Sequence, residues 1–201
     1  IFRNASEVQR RRYLPGLCNG SQIGALGLTE PGAGSDALAG MRTTARRDGE
    51  HYVLNGTKIY ITNGPVADVL LVYAKTAPER GAKGISAFIV EKGFPGFRVA
   101  QKLIKMGFRG SQTGELVFED CRVPAANLLG DEGQGLKIAL SGLEGGRIGI
   151  ASQSVGMARA AFEAALAYSK QRVTFGQPIF EHQALQFRLA DMATEIEVAR
   201  Q

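Results

Sequence analysis

The chain has 201 residues, with 24 Lys and Arg against 19 Asp and Glu and a net charge of +5. Its 44% hydrophobic and 21% charged residues exclude an intrinsically disordered chain. Two cysteines exclude a disulfide framework, and no stretch approaches the ~20 apolar residues of a membrane-spanning helix. The sequence begins at Ile1 and stops at Gln201 within a predicted helix, so we expect it to be a piece of a longer protein.

The first 22 residues predict a helix followed by a turn. Ser6 and Gln9 have the spacing of an N-terminal capping box, and Pro15 with Gly16 is expected to end the helix. The one basic run is Arg10, Arg11 and Arg12. Because no aromatic residues interleave with it, the run is interpreted as a solvated helix face or an anionic-ligand contact, and nucleic-acid binding is not predicted.

Residues 23–130 have the composition of a β-domain, with 16 of the 26 glycines and 5 of the 7 prolines. Short apolar runs bounded by turn residues predict strands at 23–28, 69–73, 85–90 and 115–118. Residues 51–54 and 57–62, separated by Asn55-Gly56, have the pattern of a β-hairpin. Many short strands with frequent turns favour an antiparallel barrel or sandwich.

Residues 131–201 change to a helical period, with apolar residues at steps of three and four along two segments. The first carries Ile148, Ala151, Val155, Ala158, Phe162 and Ala165, and the second carries Leu185, Leu189, Met192, Ile196 and Ala199. The run 175–178 separates them, so two antiparallel helices joined by a tight loop are predicted. Since the second stripe reaches Gln201, we expect further helices or a partner to cover it.

Two segments of the β-region have residue types suited to ligand contact. Residues 29–36 combine proline, glycine and small side chains after a strand, which suits a close ligand or simply a polar loop; the spacing of a dinucleotide-binding fingerprint is missing. Tyr60, Ile61 and Thr62 close a strand and offer a ring and a hydroxyl to a ligand, or else pack as an ordinary strand end.

Two segments of the helical region leave similar alternatives open. Gly145 and Gly146 lie within a helical pattern, which indicates either close approach to the backbone or a helix break. Arg172 ends the first helix and either favours the helix dipole or contacts a phosphate, and His182 and Gln183 begin the next helix. With two histidines and no Cys/His cluster, no metal site and no Ser-His-Asp set are predicted.

Taken together, the order and spacing of these motifs resemble the acyl-CoA dehydrogenase family, most closely its short-chain, butyryl-type branch. The segments that carry the resemblance are LTEPGAGSD at 28–36, NGTKIYITNG at 55–64, KMG at 105–107, VFED at 117–120, VP at 123–124, GLEGGRI at 142–148, RVTFG at 172–176 and HQ at 182–183. The resemblance implies an α+β multidomain fold: 1–22 end an N-terminal helical domain, 23–130 form a flavin-binding β-domain, and 131–201 begin a C-terminal helical bundle.

The resemblance also implies residue roles around FAD and the acyl-CoA substrate. Along 26–35, Leu26 and Leu28 belong to the flavin-binding segment, Thr29 would hydrogen-bond the flavin, and Ser35 would lie near the pyrophosphate and the CoA. Tyr60, Ile61 and Thr62 match the flavin-edge segment, with Tyr60 where relatives often have Trp. The residues matching those that reach the ADP half of FAD in a neighbouring subunit are Arg172, Thr174, Phe175 and Gln183. Those matching the acyl-CoA turn are Glu144, Gly145, Gly146 and Arg147.

The family's reaction removes a proton α to a thioester carbonyl with a Glu base and moves a β hydride to the flavin. In the isovaleryl and long-chain branches this Glu stands where the chain has Gly146. In the short- and medium-chain branches it lies in a later loop, so we expect the base beyond Gln201. Glu144 is two residues from Gly146, a rotation of roughly 200° on a helix, and matches a contact position instead.

By resemblance, the whole protein is expected to be a tetrameric FAD enzyme that passes electrons to an electron-transfer flavoprotein, in a bacterial cytoplasm or a mitochondrial matrix. Two alternatives stay open: a flavoenzyme of another reaction type on the same scaffold, such as a desulfinase or an oxidase, and a truncated, non-catalytic flavin-binding or assembly module.

Overall fold

A computed structural model describes all 201 residues, Ile1–Gln201. The chain divides into two compact units, Ile1–Leu140 and Ser141–Gln201. The predicted α+β architecture is confirmed: a sheet-rich region is followed by a helical one. No helix has the length and apolar character needed to cross a membrane.

Helix α1, Glu7–Asn19, begins at the predicted capping box and is tied to the sheet. The Ser6 hydroxyl accepts from the Gln9 amide, and the Gln9 side chain accepts from the Ser6 amide. The side-chain nitrogen Nε2 of Gln9 donates to the carbonyls of Ala126 and Leu128 at 2.7 and 2.8 Å. The predicted end at Pro15 is wrong: the helix runs through it and ends at Gly20, which takes the left-handed φ of 78° that favours glycine.

The first unit is built on one eight-stranded sheet in the order β6-β7-β3-β2-β4-β5-β8, with β1 paired to β4. The strands are β1 Gly24–Gly27, β2 Thr44–Asp48, β3 His51–Thr62, β4 Val69–Lys75, β5 Ile85–Glu91, β6 Phe97–Lys102, β7 Thr113–Pro124 and β8 Leu128–Leu129. Most pairs are antiparallel as predicted, but β1 runs parallel to β4, and β2 meets β4 in a parallel bridge. The core of the sheet includes Tyr52, Leu54, Leu70, Phe88, Leu116 and Phe118.

The predicted hairpin at Asn55-Gly56 is wrong, because β3 is one continuous strand across these residues. They form an irregularity in the β3–β7 pairing, where the Asn55 side chain donates to the Asp120 carboxylate at 3.0 Å and accepts from the Asp120 amide at 2.8 Å. The chain turns earlier, at the two-residue loop between β2 and β3, where Gly49 has a φ of 58°. An Asn-Gly pair fits a bulge as well as a turn, and here pairing with β7 on both sides of the dipeptide selects the bulge.

The second unit contains most of α2, Gly135–Gln171, then the short strands β9, Val173–Thr174, and β10, Gln177–Pro178, and finally α3, Gln183–Arg200. The predicted break between two helices is confirmed as a two-residue hairpin loop, in which Phe175 and Gly176 have φ of 52° and 83°.

Much of the predicted apolar stripe is exposed in this chain. Ile148 is 72% exposed and Met192 is 42% exposed, whereas Leu189 is buried. That further helices or a partner cover these faces stays a prediction.

We predict that Gly56→Ala destabilises the first unit by about 2–4 kcal/mol, from strain at the left-handed φ and overpacking. Gly56 has a φ of 152°, and a Cβ there would lie 2.4 Å from the Thr43 Oγ1. The control is Gly93→Ala, since a Cβ at Gly93 meets no atom within 4 Å. Urea denaturation measures both free energies of unfolding, and an equal loss in the two variants would contradict the prediction.

Candidate functional site

The loop that follows β1 is fixed to β3 by a buried ion pair. The Lys58 ammonium lies 2.8 Å from the Glu30 Oε1, with Lys58 fully buried and Glu30 5% exposed. The same oxygen accepts from the Thr43 hydroxyl at 2.6 Å, and the other carboxylate oxygen accepts from the Arg42 amide at 2.7 Å. One carboxylate therefore ties both ends of the loop 29–43 to the sheet.

The electrostatics of this pair follow from burial and from its partners. Burial raises the pKa of the Glu30 carboxyl, but the Lys58 ammonium and the hydrogen bonds from Lys58, Thr43 and Arg42 outweigh it, so the pKa lies below its usual range. Burial lowers the pKa of Lys58, and Glu30 opposes that shift. Because the folded pKa of Glu30 is depressed, its stabilisation is complete above the ordinary Glu pKa and is lost as pH falls through the folded value.

Thr29, a candidate flavin contact, is held directly beside this pair. Its carbonyl accepts from the Ile59 amide at 2.9 Å, and the carbonyl of Leu28 accepts from the Lys58 ammonium at 3.2 Å. The backbone on both sides of the Leu28–Thr29 bond is thus bonded to β3. The Leu28 side chain is buried, so this residue offers only its backbone to a ligand.

The other candidate segment lies on a bulge at the end of β3. The β3–β7 register shifts between Lys58 and Ile61, and Tyr60 takes a left-handed φ of 60°. The Tyr60 ring is 66% exposed, while Ile61 is buried in the core. A bulge redirects a side chain that a regular strand would place elsewhere, and here it presents the tyrosine ring to the outside. The straight strand assumed from the sequence misses this redirection.

An open surface cavity of about 420 Å³ in the first unit brings two of the predicted residues together. Leu26 and Thr62 both line it. The remaining lining residues are Ile1, Leu17, Gly24, Ala25, Asn63, Val69 and Leu71. The walls are apolar, with the hydroxyl of Thr62 and the amide of Asn63 as polar groups, which is the composition of a small-molecule site. Ser35 is exposed on the loop and does not line this cavity.

The predicted acyl-CoA turn lies on α2. Glu144, Gly145, Gly146 and Arg147 are exposed, and the helix continues through both glycines, so the alternative of a helix break is wrong. A Cβ at either glycine would meet no atom within 4 Å. No part of this chain therefore approaches the two glycines.

The remaining predicted residues lie on or beside the β9–β10 hairpin. Phe175 is 98% exposed at its tip, Arg172 is exposed directly before β9, and Gln183 is exposed at the start of α3. Thr174 is half-buried, and its hydroxyl lies 3.0 Å from the His182 Nε2. The ion pairs within the chain do not include Arg172, so its guanidinium is free to meet an anion.

Sequence reasoning missed Glu30, Lys58 and Thr43, and it gave His182 no role. Glu30 and Lys58 both lie inside the quoted motifs, and the available signal was a charged residue, Lys58, within the apolar pattern of a strand. No group of three or more His, Cys, Asp or Glu residues is arranged to hold a metal ion.

Comparison with known proteins places the chain in a family. Residues 25–121 match the acyl-CoA dehydrogenase middle domain, and residues 133–201 match the acyl-CoA dehydrogenase C-terminal domain. The chain therefore belongs to the acyl-CoA dehydrogenase family.

The relatives that match over the whole chain include the following three. It is 54% identical to an acyl-CoA dehydrogenase of Bacillus subtilis, covering 52% of that protein, and 50% identical to the short-chain-specific acyl-CoA dehydrogenase of Megasphaera elsdenii, covering 52%. It is also 50% identical to the acryloyl-CoA reductase (NADH) of Anaerotignum propionicum, covering 51%. The chain thus spans about half the length of the curated relatives it matches.

The solved structures that share the fold over the whole chain include the following two. Butyryl-CoA dehydrogenase of Megasphaera elsdenii superposes with a TM-score of 0.96 at 51% identity, and 52% of its chain is covered. A chain solved in work on the electron transferring flavoprotein of Acidaminococcus fermentans gives 0.96 at 54% identity, also with 52% covered.

We predict that Lys58→Met lowers the free energy of unfolding by about 3–5 kcal/mol, because it leaves the Glu30 carboxylate buried without its cation. Adding Glu30→Gln removes the stranded charge and should recover part of the loss. The control is Arg122→Met, which breaks the half-exposed pair with Asp48 and should cost less than about 1 kcal/mol. Chemical denaturation of the unsubstituted protein and the three variants measures the free energies of unfolding. A loss of stability in Lys58→Met no larger than that of the control would refute the prediction.

Proposed function

We propose that the protein containing this chain is an FAD-dependent dehydrogenase of short- or medium-chain acyl-CoA thioesters that passes electrons to an electron-transferring flavoprotein. The observation that carries the proposal is the convergence of two distant segments: Leu26 and Thr62 line one cavity, and Tyr60 stands exposed two residues before Thr62. Similarity to a butyryl-CoA dehydrogenase and to a chain from work on an electron transferring flavoprotein supports the substrate class and the acceptor.

The residues fit a flavin. A flavin ring needs apolar walls for its faces and hydrogen-bonding groups at its edge, and the cavity provides Leu26, Val69 and Leu71 with Thr62 and Asn63. Thr29 would contact the ring with its side chain, since its carbonyl is already bonded to Ile59. Leu28 and Ile61, whose side chains are buried, would contribute backbone groups.

The chain's own residues would bind and orient the cofactor and the acyl-CoA substrate. When bound, FAD supplies the acceptor for the hydride that leaves the β-carbon of the thioester. Tyr60 would lie against the ring, and Thr62 would hold its edge at a bulge fixed by β7. Arg172 and Gln183 would meet the anionic and adenosine parts of the cofactor. Ser35 and Arg147 would bind the substrate's CoA part, with Gly145 and Gly146 leaving room for the acyl chain.

We place the base that removes the α-proton outside these 201 residues. Gly146 occupies the position that carries Glu in the isovaleryl branch by resemblance, and Glu144 points roughly 200° away on a continuous helix. The whole protein is expected to be a homotetramer, with Arg172, Thr174, Phe175 and Gln183 serving the FAD of a neighbouring subunit.

The test is anaerobic addition of butyryl-CoA to the purified whole protein. We expect a bound-flavin absorption spectrum that bleaches as enoyl-CoA forms. A protein without flavin would refute the proposal. Reduction of enoyl-CoA with NADH, without thioester oxidation, would instead favour an activity like that named for the Anaerotignum propionicum relative.

We predict that Arg172→Ala weakens FAD binding about 10- to 150-fold, the loss of a charge-assisted hydrogen bond worth about 1.5–3 kcal/mol. Arg188→Ala is the matched control, because Arg188 is an exposed arginine of the same unit that forms no ion pair. Flavin content after gel filtration measures retention. If the two variants retain flavin equally, Arg172 serves the end of the helix and not the cofactor.

We predict that Glu144→Gln changes acyl-CoA binding but leaves the chemical step largely intact. A general base contributes typically 10²–10⁴-fold, so removal of a true base is readily measured. The measurement is the rate of flavin reduction in single-turnover mixing at saturating acyl-CoA. A fall of about three orders of magnitude with unchanged binding would identify Glu144 as the base and contradict our placement.

A further inference from the structure

His182 does not serve the helix that it begins. It is the N-cap residue of α3, a position where a short side chain usually accepts a hydrogen bond from the first turn, yet it makes no such bond. Its ring faces the hairpin instead. The Nε2 lies 3.0 Å from the Thr174 Oγ1 on β9, and the Nδ1 lies 3.2 Å from the Gln177 Nε2 on β10. One ring therefore joins both strands of the hairpin.

The hairpin is short and its loop is strained, so a side-chain contact between its two strands stabilises it. Each of its strands has only two residues, and its loop places Phe175 at a left-handed φ of 52°, which costs a non-glycine residue of the order of 1 kcal/mol or more. The Phe175 ring is 98% exposed, so it gains nothing from burial within this chain. Besides the strand pairing, the ring of His182 contacts the side chains of both Thr174 and Gln177, and the centres of the His182 and Phe175 rings lie 6.2 Å apart at an interplanar angle of 81°.

With the amide nitrogen of Gln177 facing the His182 ring, the two contacts select one tautomer of the neutral imidazole. The amide nitrogen of Gln177 can only donate, so the Nδ1 of His182 accepts. The Nε2 then carries the hydrogen and donates to the Thr174 oxygen. Since that oxygen accepts from the ring, the hydroxyl hydrogen of Thr174 is left to donate to another acceptor.

We propose that His182 is a positioning residue, which holds the β9–β10 hairpin and orients the Thr174 hydroxyl as an outward donor to an oxygen of the anionic half of FAD. The proposal rests on the proposed function, since it takes FAD as the ligand of this hairpin. It adds a role for a residue that contacts no ligand itself and acts through Thr174.

The two nitrogens can be separated by substitution. The amide NH₂ of glutamine reaches roughly where the Nε2 stands and keeps the donor to Thr174, whereas the amide oxygen of asparagine reaches roughly where the Nδ1 stands and keeps only the acceptor for Gln177. In the whole protein, freed of flavin and titrated with FAD, we expect His182→Asn and Thr174→Val to weaken binding about fivefold to tenfold, the loss of a single hydrogen bond. His182→Gln and Thr174→Ser should stay within about threefold of the unsubstituted protein.

Two further measurements separate positioning from general stability. The free energy of unfolding should be similar in His182→Asn and His182→Gln, and the double variant His182→Asn/Thr174→Val should bind FAD no worse than Thr174→Val alone, since both act through one hydroxyl. Equal FAD affinity in the Asn and Gln variants, or losses that follow unfolding, would overturn this inference while the proposed function stands. An unsubstituted protein that binds no FAD would overturn both.

Discussion

The buried pair of Glu30 and Lys58 is the interaction on which the first unit's site depends. A charge taken out of water is costly unless it is paired and hydrogen-bonded, and here one carboxylate accepts from an ammonium, a hydroxyl and two backbone amides. Its partners are Arg42 and Thr43 at the other end of the same loop, just before β2, and Lys58 on β3. The carboxylate therefore holds both ends of the loop in one position relative to β3. Thr29 and the bulge at Tyr60 take their positions from that arrangement.

Strained backbone marks one candidate ligand residue in each unit. Tyr60 and Phe175 have left-handed φ of 60° and 52°, and both present their rings to the outside at 66% and 98% exposure. Such conformations persist only where neighbouring structure holds them. At Tyr60 the neighbour is β7, and at Phe175 it is the short hairpin with the ring of His182. In each case an aromatic ring is offered at a fixed point instead of being buried.

The sequence predicted elements better than their connections. The capping box at Ser6, the apolar strand runs and the break between two helices follow from local chemistry, and the structure has them. Asn55-Gly56 failed because the same dipeptide suits a turn or a bulge, and the choice is made by Asp120, 65 residues later. The parallel pairing of β1 with β4 was likewise invisible, since alternation of side chains does not specify a partner strand.

The candidate site was predictable residue by residue only through resemblance. For the motif residues, composition and spacing did not distinguish a role in ligand binding from an ordinary structural role. Local patterns could not predict three tertiary contacts: the ion pair that fixes Thr29, the bulge that turns Tyr60 outward, and the ring of His182 between two strands. Each joins residues whose relation depends on the folded chain and not on periodicity.

The way α1 is anchored has a consequence for how the first unit assembles. Gln9 bonds to the carbonyls of Ala126 and Leu128, 117 and 119 residues further on, and β3 pairs with β7 as far as Pro124. Contacts of such separation close late and slowly, because the intervening chain must first be ordered. A chain emerging from the ribosome therefore holds β3 and β5 each without one of its partner strands until β7 and β8 have emerged. During that interval its apolar strands depend on chaperones or on speed to avoid pairing with other chains.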